Sequence, residues 1–210
     1  AGTVSNVTIV AGTGLTTTGT CNITTTGTCT PAIDTGHMGS PGTYQNLKIT
    51  QGSSTTLTIA YDEVITGVTL GGTSYRESAG NHTLTVSGTG ANGMDTGSVP
   101  ANGLVCVYAI SKGDNSTFAV LGSNAATNAC STIYPGASMP AGYTSSGLIG
   151  IWPTSSSNLV VGTQIGHHFR YQGTTAPSII TNGTAATLTS VTTTTAWPAN
   201  PGNNVIEVDV

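Results

Sequence analysis

Short apolar runs closed by turn residues constrain this fold more than any other feature of the sequence. Between residues 90 and 173, runs such as 104–110 and 117–121 alternate with turns rich in glycine, aspartate and asparagine. A long helix would instead place apolar residues at every third or fourth position. No segment keeps that period for more than about two turns. The pattern therefore predicts many short antiparallel strands arranged as a β-sandwich or a barrel.

Alternation inside these runs predicts which side chains point inward, because successive residues of a strand face opposite sides. We expect further strands at 55–70 and 81–87. Closing strands are expected at 186–195 and 205–210, after a turn at Asn182-Gly183. We expect these inward side chains to form the core of the domain. The alternative is that some of them face the threefold axis between subunits. The core residues expected are Val105, Val107, Phe118, Val120, Leu148, Ile149, Ile165 and Phe169.

The first sixty residues have a different texture. The hexapeptide Thr-Thr-Thr-Gly-Thr-Cys occurs at 16–21 and again at 24–29. Strands this polar cannot bury a core within one chain, but they gain hydrogen-bonding partners by winding with copies of themselves. We therefore predict an intertwined trimeric β segment at 1–60 and a globular β domain at 61–210.

Four motifs follow one another in the globular part: G-A-N-G-M-D-T-G at 90–97, M-P-A-G-Y at 139–143, L-I-G at 148–150 and Q-I-G-H-H-F-R-Y at 164–171. This order resembles the globular domain of bacteriophage and prophage tail-fibre proteins. The N-terminal G-T-V and G-L-T-T-T phrases are similar to the segment next to their shaft. The resemblance implies a trimeric shaft-like segment followed by an antiparallel, jelly-roll-like β-sandwich. It also implies a homotrimer that joins other tail proteins, in a virion tail fibre assembled in the host cytoplasm.

Charge excludes several kinds of partner. Charged residues make up 6% of the 210 residues and the net charge is −4, against about 25% charged residues in ordinary globular chains. Four Lys and Arg residues are too few for the clustered basic patch that nucleic-acid binding needs. No apolar run is long enough for membrane insertion, and no signal-peptide pattern opens the sequence. A neutral, hydroxyl-rich surface suits an extracellular assembly or a virion.

Catalytic constellations are not apparent. Asp62 and Glu63 are adjacent, so on a strand they point to opposite faces and cannot flank one glycosidic bond. We expect Asp95 and Asp114 to cap turns by accepting backbone N–H groups. A nucleophile elbow and a phosphate-binding loop are both missing from the sequence. We predict no enzyme activity and no cofactor, and the alternative is a hydrolytic pair assembled from distant residues or across a subunit interface.

Histidine and cysteine leave alternatives open. His167 and His168 are adjacent and diverge on a strand, so we expect one buried imidazole, one exposed imidazole and no metal site. Three copies of one histidine around a threefold axis are the alternative.

The four cysteines, Cys21, Cys29, Cys106 and Cys130, allow three pairings. Cys106 and Cys130 bracket a hairpin, and we expect them to lie close enough to react. A free buried thiol at Cys106 is the alternative, because a reducing cytosol keeps thiols reduced. Cys21 and Cys29 occupy like positions of the repeat.

A binding site is expected on loops, which carry variable contacts on a rigid scaffold. In the loop 122–139 we expect Asn124 and Asn128 to bond sugar hydroxyls and Tyr134 to stack on a sugar face. Trp152 is the first residue of a second candidate loop, at 152–158. The alternative is that both loops are merely solvated and bind no receptor. The predicted function is a tail-fibre tip that adheres to a bacterial surface polysaccharide or other receptor without chemistry. The alternatives are a polysaccharide depolymerase and a purely structural fibre component.

Overall fold

The computed structural model describes residues 39–172, together with the backbone of two short strands, β1 (Leu15–Thr16) and β2 (Ala32–Ile33). These two strands pair antiparallel, with Leu15 opposite Ile33. Several predicted features lie outside the described residues: most of the hexapeptide repeats, with Cys21 and Cys29, the turn at 182–183 and the closing strands at 186–195 and 205–210.

Residues 39–172 form an antiparallel β structure, and the described residues contain no helix, so none of them forms a helix that could span a membrane. The prediction of an all-β antiparallel fold is confirmed. The strands are β3 (Tyr44–Gln45), β4 (Lys48–Ser53), β5 (Thr56–Gly67), β6 (Ser74–Thr85), β7 (Gly103–Ser111), β8 (Phe118–Asn124), β9 (Ser145–Ser155), β10 (Asn158–Leu159), β11 (Gly162–Ile165) and β12 (His168–Tyr171).

All ten of these strands belong to one sheet with the order β12-β11-β4-β5-β9-β7-β8. β3 and β6 pair with β5, and β10 pairs with β9. β5 and β9 meet through a single pair, Gly67 opposite Ser146. The short contact between β5 and β9 divides the sheet into a part built on β5 and a part built on β7.

Strand β7 is buried on both faces. Val105, Val107 and Ala109 enter one apolar cluster, which also takes side chains from β4, β5, β6, β8 and β9. Cys106 and Tyr108 enter a second cluster with residues of β8 and of the loop that follows it. The first cluster is the main core, and the loop that follows β8 covers the second cluster.

Most of the predicted core residues take the expected places. Val105, Val107, Val120 and Ile149 are almost fully buried, and partly buried Phe169 packs against the main core. Phe118 and Leu148 are also only partly buried, and Leu148 packs against the second cluster.

Ile165 is 64% exposed, so the prediction that it contributes to the core is wrong. In β11 the inward position belongs to Gln164, whose amide donates to the backbone oxygen of Ile149 at 3.1 Å. Strand alternation therefore turns the neighbouring Ile165 outward.

The predicted domain boundary at residue 60 falls inside β5 (Thr56–Gly67). Before that boundary, Leu47, Ile49 and Leu57 are buried in the main core. The β4–β5 hairpin thus packs with the globular sheet, because its alternating apolar side chains are covered there. Residues 44–60 of the segment predicted as shaft-like thus contribute strands to the same sheet as the residues after 60, and the division of the chain into two domains stays a prediction.

Candidate receptor-binding site

The loop between β8 and β9, residues 125–144, folds over the second face of β7, and we call it the loop cover. Tyr134 is its most deeply buried residue, at 6% exposure, and belongs to the second cluster. Cys130, Met139 and Tyr143 pack against that cluster from the same loop. Lys112 lies over the Tyr143 ring, 5.5 Å from its centroid.

A disulfide ties the loop cover to β7. Cys106 and Cys130 are bonded across a sequence separation of 24, with their Cα atoms 5.3 Å apart. The prediction that these two residues lie close enough to react is confirmed. Cross-linking lowers the entropy of the unfolded chain, so the bond holds the loop cover against the strand.

A buried carboxylate makes the second attachment. Asp95 is 8% exposed, and its Oδ2 accepts hydrogen bonds from Ser123 Oγ at 2.8 Å, Asn128 Nδ2 at 3.0 Å and Tyr134 Oη at 2.7 Å. Its Oδ1 accepts the backbone N–H of Thr96 at 2.7 Å. A buried charge needs such donors, since leaving it unpaired costs several kcal/mol.

The Asp95 network goes beyond the turn cap expected from the sequence. That expectation captured the Thr96 contact but missed the three side chains, which are 28 to 39 positions away along the chain. The network joins the 90–97 motif, β8 and the loop cover at one carboxylate. Together with the disulfide, these hydrogen bonds attach the loop cover to the sheet at two points.

Tyr134 stays protonated as a donor in this network. Burial and the hydrogen bond to Asp95 raise the pKa of its phenol to about 12. Its ring meets the Tyr108 ring edge-on at 5.5 Å. Both the hydroxyl and the ring of Tyr134 therefore make their contacts inside the protein.

The four predicted contact residues fall in two environments. Asn128 and Tyr134 direct their polar groups to Asp95, and partly exposed Asn124 accepts the N–H of Ala126 in a turn. Trp152 is fully buried, donates its indole N–H to the Val160 oxygen at 3.0 Å and meets Phe169 edge-on. Burial favours structural roles for Tyr134 and Trp152, and receptor contact by these residues stays a prediction.

The second candidate loop, 152–158, is largely a tight hairpin. β9 continues to Ser155, and the two turn residues Ser156 and Ser157 have positive φ values of 51° and 61°. Ser156 N–H donates to Asn102 Oδ1 at 3.1 Å. Four polar residues, 155–158, are exposed at its tip.

The other described carboxylates have local partners. Glu77 accepts the hydroxyl of Tyr61 and lies 3.0 Å from Nε2 of His82, while burial and Glu77 raise the pKa of Tyr61 above its usual value. Glu63 forms an ion pair with Arg76 at 2.7 Å. Among residues 39–172 no group of three or more His, Cys, Asp or Glu side chains is placed to hold a metal ion.

Asp114 caps its turn as predicted. Its Oδ1 accepts the N–H groups of Ser116 at 2.9 Å and Thr117 at 2.6 Å. These backbone hydrogen bonds lower the pKa of the Asp114 carboxyl.

His167 and His168 are both exposed, so the expectation of one buried imidazole is wrong. His167 lies in the turn between β11 and β12, and His168 is the first residue of β12. β12 is at one end of the strand order. Nδ1 of His167 lies 2.9 Å from the Tyr44 hydroxyl. Burial raises the pKa of Tyr44 to about 12.

No protein-family model, curated protein or solved structure matches this chain. The likeness to tail-fibre proteins therefore rests on the four sequence motifs and the N-terminal phrases.

Proposed function

We propose that this protein is the tip of a phage tail fibre and binds a bacterial surface receptor, a polysaccharide above all, without chemical conversion. The observation that carries the proposal is the double attachment of the loop cover, by the Cys106–Cys130 disulfide and by Asp95. Binding residues concentrate on loops that a rigid scaffold positions. A loop already fixed in place loses little conformational entropy when a ligand binds.

The exposed chemistry of the loop cover suits a neutral sugar. Its exposed positions carry hydroxyl and small apolar side chains and no ionised side chain. Hydroxyls both donate and accept hydrogen bonds, as sugar hydroxyls do. The exposed residues are Ala126, Thr127, Ala129, Ser131, Thr132, Pro135, Ala137, Ala141, Gly142 and Thr144.

The finer architecture belongs to the same proposal. We infer a jelly-roll-like sandwich, because side chains of β4, β5 and β6 share one cluster with those of β7, β8 and β9. The N-terminal part forms the trimeric shaft and joins other tail proteins in the virion. Assembly takes place in the reducing host cytoplasm, so the disulfide closes after release into an oxidising medium.

Charge inserted into the loop cover tests the proposal. The double variant Ser131→Arg/Thr132→Arg adds two long side chains at exposed positions and should lower adsorption to susceptible cells at least about tenfold, which corresponds to about 1.4 kcal/mol. Thr69→Arg/Thr73→Arg adds the same charge in the exposed β5–β6 turn and should leave adsorption unchanged. Equal adsorption by both variants would place the receptor site elsewhere.

A further inference from the structure

A row of threonines crosses the sheet on the face turned away from the main core. Thr163 of β11 stands opposite Thr50 of β4, Thr50 opposite Thr58 of β5, and Thr58 opposite Thr83 of β6. Arg170 of β12 continues the row beside Thr163. Adjacent strands are about 4.8 Å apart, so the row extends over roughly 19 Å. We call it the threonine row.

Alternation assigns the row to the outer face. Ile49 precedes Thr50, and Leu57 and Ile59 flank Thr58; all three are buried in the main core, so the two threonines point away from it. Thr58 and Thr83 are exposed and Thr50 is partly exposed. Thr163 is 8% exposed and donates its hydroxyl hydrogen to Gln172 Oε1 at 2.9 Å.

Positive charge borders the threonine row. The next row on the same face contains His168, Ile165, Lys48, Ala60 and Asn81, in that order across the strands. Lys48 and Arg170 are exposed, and among residues 39–172 their side chains have no carboxylate within ion-pair distance. Two of the four Lys and Arg residues of a chain with net charge −4 thus share one face.

The nearest acidic residue along β5 is Asp62, beyond Ala60. Its Oδ2 already accepts the Asn46 amide at 2.6 Å. The remaining cations have partners elsewhere, because Arg76 pairs with Glu63 and Lys112 lies over Tyr143. Among the lysines and arginines of residues 39–172, Lys48 and Arg170 are therefore the two with neither a carboxylate nor an aromatic ring as partner, and both lie beside the threonine row.

We propose that the threonine row, with Lys48 and Arg170, binds an acidic polysaccharide. The hydroxyls match sugar hydroxyls, and the two cations match carboxylates spaced along a chain. A row about 19 Å long is long enough to contact several successive sugar units of a polymer. Single-stranded nucleic acid fits less well, because the row offers no aromatic side chain for base stacking. This face is distinct from the loop cover, so the proposal stands whether or not the loop cover binds a receptor.

Retention of the intact protein on immobilised polygalacturonate measures this binding. Lys48→Gln/Arg170→Gln should lower retention about tenfold or more at low salt. The matched control Arg76→Gln/Lys112→Gln removes the same charge away from the row and should change retention less than about twofold. Equal losses in both variants would show that net charge alone decides and would overturn the proposal.

Two further experiments test the proposal on the unmodified protein, one varying the salt concentration and the other varying the immobilised polymer. Retention should fall between about 0.01 M and about 1 M salt, because the Debye length shrinks from about 30 Å to about 3 Å. Neutral dextran should not retain the protein, and polyphosphate or single-stranded DNA should retain it less than polygalacturonate does. Salt-independent retention, or stronger retention by either phosphate polymer, would contradict the assignment. The readout uses purified polymer, so failed adsorption to cells does not affect it.

Discussion

Tyr134 donates its phenolic hydrogen to Oδ2 of Asp95 at 2.7 Å, across 39 positions of the chain. The same oxygen accepts hydrogen bonds from the Ser123 hydroxyl and the Asn128 amide. One carboxylate therefore fixes three segments: the 90–97 motif, the end of β8 and the loop cover. The rigidity of the proposed receptor surface depends on this contact together with the disulfide.

Asp95→Asn should lower the free energy of unfolding by about 3 kcal/mol, because an amide cannot accept three side-chain donors and leaves buried polar groups unpaired. Urea denaturation measures the change. Asp62→Asn is the control, since Asp62 is exposed and bonded to one neighbour, and it should cost less than about 0.5 kcal/mol. Equal stability losses for the two variants would argue against a central role for Asp95.

Stability should decline in alkaline solution, and Tyr134→Phe should weaken the decline. The folded pKa of Tyr134 is raised to about 12, above about 10 for an unfolded tyrosine. The unfolded state then binds fewer protons between these values, so stability is full below about pH 10 and is lost as pH rises toward about 12, by up to about 1.4 kcal/mol per pH unit.

Tyr44, Tyr61 and Tyr108 have pKa values raised in the same direction, so Tyr134→Phe reduces this slope without abolishing it. Urea midpoints recorded between about pH 9 and about pH 12 test the expectation. A variant whose pH slope equals that of the unmodified protein would contradict it.

Replacing both Cys106 and Cys130 by Ala should lower stability by about 3.5 kcal/mol, the chain-entropy value for a loop of this length. It should also speed proteolysis within the loop cover. Mass mapping of the oxidised, unreduced protein should find the peptides of Cys106 and Cys130 linked. Two alkylated free thiols at these positions would refute the pairing.

The intact chain should behave as a homotrimer. The polar repeats at 16–21 and 24–29 cannot bury a core within one chain and need copies of themselves as partners. Light scattering should give three times the chain mass of 20.9 kDa. A folded monomer in dilute solution would overturn the trimer.

Local pattern predicted the strands well, because alternation and turn residues act between neighbours in sequence. It placed Val105, Val107 and Ile149 in the core correctly. It placed Ile165 wrongly, since the inward position of the short strand β11 is taken by Gln164, whose amide reaches the backbone of β9. Hydrophobicity alone does not reveal that choice.

The candidate site was harder to predict because its contacts are long-range. The sequence indicated that Asn128 and Tyr134 carry hydrogen-bonding groups, but the Asp95 carboxylate that engages them lies more than thirty positions away. Trp152 looked like a loop aromatic, whereas β9 continues past it to Ser155 and buries it. The threonine row is likewise visible only once the register of five strands is known.

Adhesion without chemistry is tested most directly by incubating the intact protein with polysaccharide purified from a bacterium to which it adsorbs. We expect the polysaccharide to retain the protein while its chain-length distribution, measured by size-exclusion chromatography, stays unchanged over hours. Progressive shortening would identify a depolymerase, and lack of retention together with unchanged length would leave a structural fibre component; either result would contradict the account.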